Sequence, residues 1–117
     1  MEDERGTILW WNDGDILIAQ PTMIRIDVIT TKYFNEQMSE ILNEESSKLV
    51  LNMAQIMHID SSGIGALIGL MKKFGRDFIA LSDVRKGVKK ILGVARLDKV
   101  FSIHDDELKA VEWLKQQ

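Results

Sequence analysis

The stretch at residues 48–53 limits the fold more than any other, because Leu49-Val50-Leu51 is apolar at every position. A strand of that kind must be covered on both faces, and a chain this short covers a sheet with helices. Residues 62–74 supply one, with Ile64, Leu67, Ile68 and Met71 at helical spacing. A second apolar strand at residues 77–81 follows across Gly75-Arg76. Strand, helix and strand in that order predict a parallel pair joined by a crossover.

Upstream, residues 7–11 and 15–20 are rich in β-branched, aromatic and aliphatic side chains and flank Asn12-Asp13-Gly14, which predicts a hairpin turning there. Trp10 and Trp11 are consecutive in the first of these strands and point to opposite faces, so either one is exposed or each is covered from its own side. Thr30 or Thr31 is placed to cap a helix that runs through Asn43, with Phe34, Met38, Ile41 and Leu42 inward. Downstream, Ser82 or Asp83 is placed to cap a third helix with Val84, Val88, Ile91 and Leu92 on its inner face and Gly93 near its end. Residues 100–103 predict a short edge strand, and Asp105 and Asp106 suit the N-terminal dipole of a last helix with Leu108, Val111 and Leu114 inward. The expected architecture is α/β: one domain over 1–117, a mixed β-sheet with about four helices packed against it.

Composition narrows the function. The chain has 117 residues, 45% of them apolar, enough for one core. Its 15 basic and 18 acidic residues are interspersed, and a net charge of -3 supplies no basic patch for nucleic acid. Met1-Glu2-Asp3-Glu4-Arg5 is acidic where a secretory signal is positive, and no apolar run approaches the roughly 20 residues of a membrane span, so a cytoplasmic protein without a membrane partner is expected. Absence of Cys removes disulfides, thiolate catalysis and Cys-ligated metals, and the two histidines, His58 and His104, are far apart. Neither a metal nor a cofactor is expected. An enzyme is not expected either: Ser61 lacks the Gly two residues earlier that a nucleophile elbow requires, His58 stands at no established triad spacing, and no Gly-x-x-x-x-Gly-Lys-Ser/Thr loop occurs.

Ile59-Asp60-Ser61-Ser62-Gly63-Ile64-Gly65 follows a strand-like stretch and opens an apolar helix. A tight strand-to-helix turn there directs backbone N–H groups outward, where the helix dipole favours an anion such as a phosphoserine. The helix also has a small face, Ser62, Gly65, Ala66 and Gly69, opposite its large one. Glycine in a helix costs about 1 kcal/mol relative to Ala, so the small face serves close approach, either by a partner helix or by packing inside the domain. Asp, Ser and Gly before a helix are equally ordinary capping residues.

The run Leu51-Asn52 through Ile59-Asp60-Ser61-Ser62-Gly63-Ile64-Gly65-Ala66-Leu67 resembles the signature of the STAS family, in which a strand ends in Asp-Ser-Ser-Gly or Asp-Ser-Thr-Gly before a helix. Val88-Lys89-Lys90-Ile91-Leu92 and Leu97-Asp98-Lys99-Val100-Phe101 resemble that family's third helix and the strand after it. The resemblance covers about residues 15–114. It implies an anti-sigma-factor antagonist that works by partner switching: unphosphorylated, it binds an anti-sigma factor that is itself a serine kinase, and phosphorylation breaks the complex until a serine phosphatase restores it. By the resemblance, phosphorylation falls on Ser61 and the loop residues Asp27 and Thr30 belong to the partner-binding surface; Asp60, Ser62 and Gly63 of the motif and Gly65 and Gly69 of the small helix face are expected to join them there. The family also contains unphosphorylated scaffolds and accessory subunits of signalling or transport complexes. Two departures stand out: Pro21-Thr22-Met23-Ile24-Arg25-Ile26 replaces the Gly and acidic residue usual before the loop Asp, and Arg96 stands where a Gly often closes the third-helix region, so a different local backbone is expected there.

Overall fold

The computed structural model describes residues 6–43 and 45–117; the acidic stretch Met1 to Arg5 lies outside them. Four helices flank a five-stranded sheet in the order β1-β2-β4-β6-β7. β1 (Ile8–Asp13) is antiparallel to β2 (Ile16–Pro21), while β4 (Lys48–Asn52), β6 (Ile79–Ser82) and β7 (Ser102–His104) continue from β2 in parallel. The sheet is therefore mixed. A two-stranded parallel sheet, β3 (Arg25–Ile26) and β5 (His58–Ile59), stands beside it.

Alternation along the strands sorts the core into two layers. Leu17, Ala19, Leu49, Leu51, Ile79 and Leu81 face the layer that also holds residues of α1 (Thr31–Ile41), α2 (Ser61–Phe74) and α3 (Lys86–Val94). Ile16, Ile18, Val50 and Ala80 face α4 (Glu107–Lys115). Leu49-Val50-Leu51 is fully buried because each parity meets a helix layer, which is the covering that its composition demands. β4 and β6 are the expected parallel pair, and α2 lies in the connection between them.

Several boundaries differ from the sequence reading. The hairpin loop is Gly14-Asp15: Asn12 and Asp13 stay paired with Leu17 and Ile16, and Gly14 takes the positive φ of 61° that the turn requires. α1 ends at Ile41, and Thr30 at its N-cap makes no capping bond because its hydroxyl is engaged in the preceding loop. α3 starts at Lys86, so neither Ser82 nor Asp83 caps it; Ser82 ends β6 and Asp83 turns the chain at φ 56°. β7 begins at Ser102 after a 3-10 turn over Leu97–Lys99. At Arg96 the backbone is left-handed (φ 61°), so the conformation a glycine would favour is kept and an arginine adopts it.

In α4, Leu108 is 67% exposed, and the inward stripe is Ala110, Val111 and Leu114. With 100° per residue, Leu108 lies roughly 110° around the helix from the centre of that stripe. Within α2 the buried stripe is Gly63, Ala66, Leu67 and Leu70, with Ile64, Ile68 and Met71 half-buried along one flank. Ala66, expected outward, is thus inside. Trp10 and Trp11 are both partly exposed, since β1 is an outer strand and no helix fully covers either of its faces.

Candidate functional site

The two-residue ladder of β3 and β5 builds the site. Pairing Arg25 with His58 and Ile26 with Ile59 brings the ends of both strands together, so Asp27 and Asp60 leave the small sheet side by side. The Ile24 carbonyl accepts from the N–H groups of Met57 and His58, and the Ile26 carbonyl accepts from the Asp60 N–H, which fixes the register at both ends.

Asp60 is the N-cap of α2. One carboxylate oxygen accepts from the N–H groups of Ser62 (2.9 Å) and Gly63 (3.1 Å), and the other accepts from the Val28 N–H (3.1 Å). A single side chain therefore satisfies the helix start and staples the 27–30 loop to it. This corrects one expectation: the amides of Ser62 and Gly63 are already occupied by Asp60 and are not open to an incoming anion. Ser61 is the first helical residue and is exposed.

The loop closes on itself in the same manner. Asp27 Oδ1 accepts from the N–H groups of Ile29 (2.9 Å) and Thr30 (3.0 Å), while the Asp27 N–H donates to Thr30 Oγ1 (3.0 Å) and that hydroxyl donates to the Arg25 carbonyl (2.8 Å). The Thr31 N–H and hydroxyl both donate to the Asp27 carbonyl. Burial works against the Asp27 charge, but donation from Thr30, Ile29 and the Thr30 hydroxyl, with Arg25 nearby, outweighs it and holds the pKa below the ordinary 3.8. Asp27 and Thr30 are only 7% and 3% exposed. They build the loop and offer little surface of their own.

What the loop presents is apolar. Ile24, Val28, Ile29 and Met57 are large, exposed hydrophobic residues on the segments joined through β3, β5 and Asp60. Sequence reasoning missed them. Their signal is local: apolar residues before α1 and β5 that belong to no helical or alternating pattern.

The glycines of α2 divide into two kinds. A Cβ on Gly63 would stand 2.2 Å from the Ile26 carbonyl oxygen and 2.5 Å from Ile59 Cγ1, so this glycine seats the helix on the small sheet. At Gly65 and Gly69 a Cβ would meet nothing within 4 Å. Both are exposed and border a groove of about 370 Å³ between α1 and α2, where Asn35 and Ser39 oppose Ser62, Gly65 and Gly69 and where Met38 and Leu70 are also part of the lining. Close packing inside the domain therefore accounts for Gly63 and not for the other two.

His104 lies elsewhere, its Nε2 2.7 Å from Ser102 Oγ and its ring 5.4 Å from that of Trp113. No group of three or more His, Asp or Glu side chains able to hold a metal occurs among the described residues.

A sequence model described as STAS domain matches residues 15–110. The chain belongs to the STAS domain family. The anti-sigma F factor antagonist of Paenibacillus polymyxa is 27% identical to it over 118 residues, spanning 98% of this chain and 92% of that protein. An anti-sigma factor antagonist from Mycobacterium paratuberculosis has the same fold, with a TM-score of 0.84 at 15% identity over 97% of each chain. The Bacillus cell fate determinant SpoIIAA in its phosphorylated form gives 0.64 at 14% identity, over 91% of this chain and 97% of that one. Asp60, Ser61, Ser62 and Gly63 of this STAS domain thus lie at its strand-to-helix turn, with the loop of Asp27 and Thr30 bonded alongside. No helix among the described residues is long and apolar enough to cross a membrane.

Proposed function

We propose that this STAS domain is a non-enzymatic, cytoplasmic anti-sigma-factor antagonist whose binding to its anti-sigma factor is controlled by phosphate on Ser61. The observation that carries the reading is an exposed serine at the first position of α2, beside a rim of exposed apolar residues and on a turn where Asp60 already holds the Ser62 and Gly63 amides. The partner is the anti-sigma factor, acting as the serine kinase, and a serine phosphatase resets the switch. Its contact surface comprises Ser61 at the helix start and Ser62, Gly65 and Gly69 along the groove, together with Val28, Ile29 and Met57. Asp27, Thr30, Asp60 and Gly63 hold that surface in shape.

A phosphate on Ser61 adds about -1.5 to -2 charges next to the Asp60 carboxylate, which already occupies the Ser62 and Gly63 amides. The new charge stays on the surface, where a docking partner must desolvate it. A penalty of about 3 kcal/mol lowers affinity roughly a hundredfold, enough to release the partner. The free fold changes little, because the helix dipole offsets the repulsion from Asp60.

Mass spectrometry of the protein from its own cells, wild type beside Ser61→Ala, is expected to find a phosphate that disappears with the substitution. Calorimetric titration with the anti-sigma factor is expected to give binding for Ser61→Ala and about a hundredfold weaker binding for Ser61→Asp, with melting temperatures nearly equal. Absence of phosphate under every growth condition would instead mark an unphosphorylated scaffold or accessory subunit.

A further inference from the structure

β1 is an outer strand of the large sheet, and its exposed residues are unusually apolar: Leu9, Trp10 and Trp11 are 51%, 46% and 41% exposed. Which backbone groups face outward follows from the hairpin. The Thr22 N–H donates to the Thr7 carbonyl at 2.8 Å, and the register of Ile8 with Pro21 makes residues 7 and 22 a hydrogen-bonded pair. Odd residues of β1 therefore bond toward β2, and Ile8, Trp10 and Asn12 direct their N–H and C=O groups away from it. Two further observations agree. Pro21, which has no N–H, sits opposite Ile8, and the Ile8 N–H donates outward to Gln37 Oε1 of α1 at 2.9 Å.

Gln37 also donates to the Gly6 carbonyl and so seals the start of the edge. Beyond it, the outward groups of Trp10 and Asn12 have no partner among the described residues. Edge strands are normally blunted by lysine, proline, a bulge or an inward charge. β1 has none of these before Asp13, which Lys115 of α4 holds at 3.1 Å.

We infer that this edge pairs with the same edge of a second copy, in an antiparallel two-fold arrangement centred on Trp10. A two-fold axis normal to the sheet keeps each face on its own side, so residues of like parity must meet. Centring on Trp10 sets Trp10 against Trp10 of the second copy, Leu9 against its Trp11 on the other face, and the Asn12 N–H against its Ile8 carbonyl. All three exposed side chains of each copy are covered, and the two Asp13 carboxylates lie at opposite ends. The Ile8 N–H stays with Gln37, so the outer Ile8–Asn12 pair keeps only the bond from the Asn12 N–H while the central Trp10 pair keeps both; moving the centre to Leu9 would put the occupied Ile8 N–H into both central pairs, and moving it to Trp11 sets Leu9 against Asp13. The self-complementary register is what favours a second copy over an unrelated strand. Three side chains per copy hide on the order of 600 Å² in total, against the 1,200–2,000 Å² of stable complexes, so the dimer is weak and concentration-dependent.

Sedimentation equilibrium from about 10 µM to about 1 mM is expected to show the mass climbing from 13.4 kDa toward twice that value. Trp10→Lys and Asn12→Pro are each expected to weaken association at least about tenfold. Asn12→Pro removes only an outward N–H, and an unchanged melt verifies that the hairpin survives. Because the chain has no cysteine, Trp10→Cys supplies a single thiol that oxidises to a linked dimer at least about tenfold faster than Asn12→Cys, whose partner in this register is Ile8. A constant mass of 13.4 kDa up to about 1 mM overturns the inference, as does a dimer that survives both edge variants or equal cross-linking by the two cysteines.

Discussion

Two strand-to-helix crossings in this domain use nearly the same residues and come out opposite. β5 passes to α2 through Ile59-Asp60-Ser61, and β6 passes toward α3 through Leu81-Ser82-Asp83. At the first, the Asp is extended (φ -107°, ψ -170°) directly before the helix, and its carboxylate accepts three backbone N–H groups. At the second, the Asp comes one residue later, turns at φ 56°, and the helix waits until Lys86 behind an Arg85 that makes no capping bond. Ser82 Oγ and Asp83 Oδ2 are left buried with no hydrogen-bond partner among the described residues. Residue type alone does not make a cap. The carboxylate must sit in extended backbone one residue before the first helical one, a condition that Asp60 meets before α2, and Asp106 before α4, but that Asp83 does not. The result at α2 is a turn held by three backbone N–H groups, with an exposed serine at the first helical position.

The strongest way to break the α2 crossing is to push the helix off its sheet. Gly63→Ala forces a methyl group into the Ile26 carbonyl at 2.2 Å, a backbone atom that cannot rotate away, and a loss of about 3 kcal/mol or more is expected in urea unfolding. Gly65→Ala, two residues along in the same helix, meets open space and is expected to gain about 0.5–1 kcal/mol. Equal stability of the two variants would mean that α2 is not seated on β3 as described.

The next effects carry opposite signs at the two crossings. Asp60→Ala removes the cap and the Val28 staple together, and about 2 kcal/mol of stability is expected to go with them. Asp83→Gly relieves a left-handed aspartate and removes an unpartnered buried oxygen, so a gain of about 1 kcal/mol is expected. Thermal melts of the pair sharpen the comparison: a loss at both positions would show that Asp83 has a stabilising role that its contacts do not explain.

The same contrast marks how far the sequence could be read. Four helices, the parallel β4–β6 pair and the hairpin were legible because their patterns run over four or more residues and are locally consistent. β3 and β5 were not, since two-residue strands have no period, and yet their pairing across more than 30 positions is what brings Asp27 to Asp60. The motif located Ser61, but only the hydrogen bonds show that Asp60 has taken the Ser62 and Gly63 amides and that Asp27 and Thr30 face inward. Leu108 misled through spacing: it is three residues before Val111, but the centre of the α4 stripe lies further round, toward Ala110 and Leu114.

The smallest expected effect is a pH dependence confined to the neighbourhood of the second crossing, where the His104 carbonyl accepts from the Asp83 N–H. Burial beside Trp113 and Ser102 lowers the His104 pKa below its ordinary 6.5, against the opposing pull of Asp105 and Asp106. The unfolded chain therefore binds a proton that the folded chain resists. Stability is complete above pH 6.5 and declines as the pH falls through that value toward the lower folded pKa, below which the loss is constant. Because the ring is only partly buried and solvent screens it, the decline is small. Urea midpoints between pH 7.5 and 5.5, wild type beside His104→Gln, measure it. A slope that vanishes in the variant assigns the proton to this ring; a slope unchanged by the substitution would move its origin to another group.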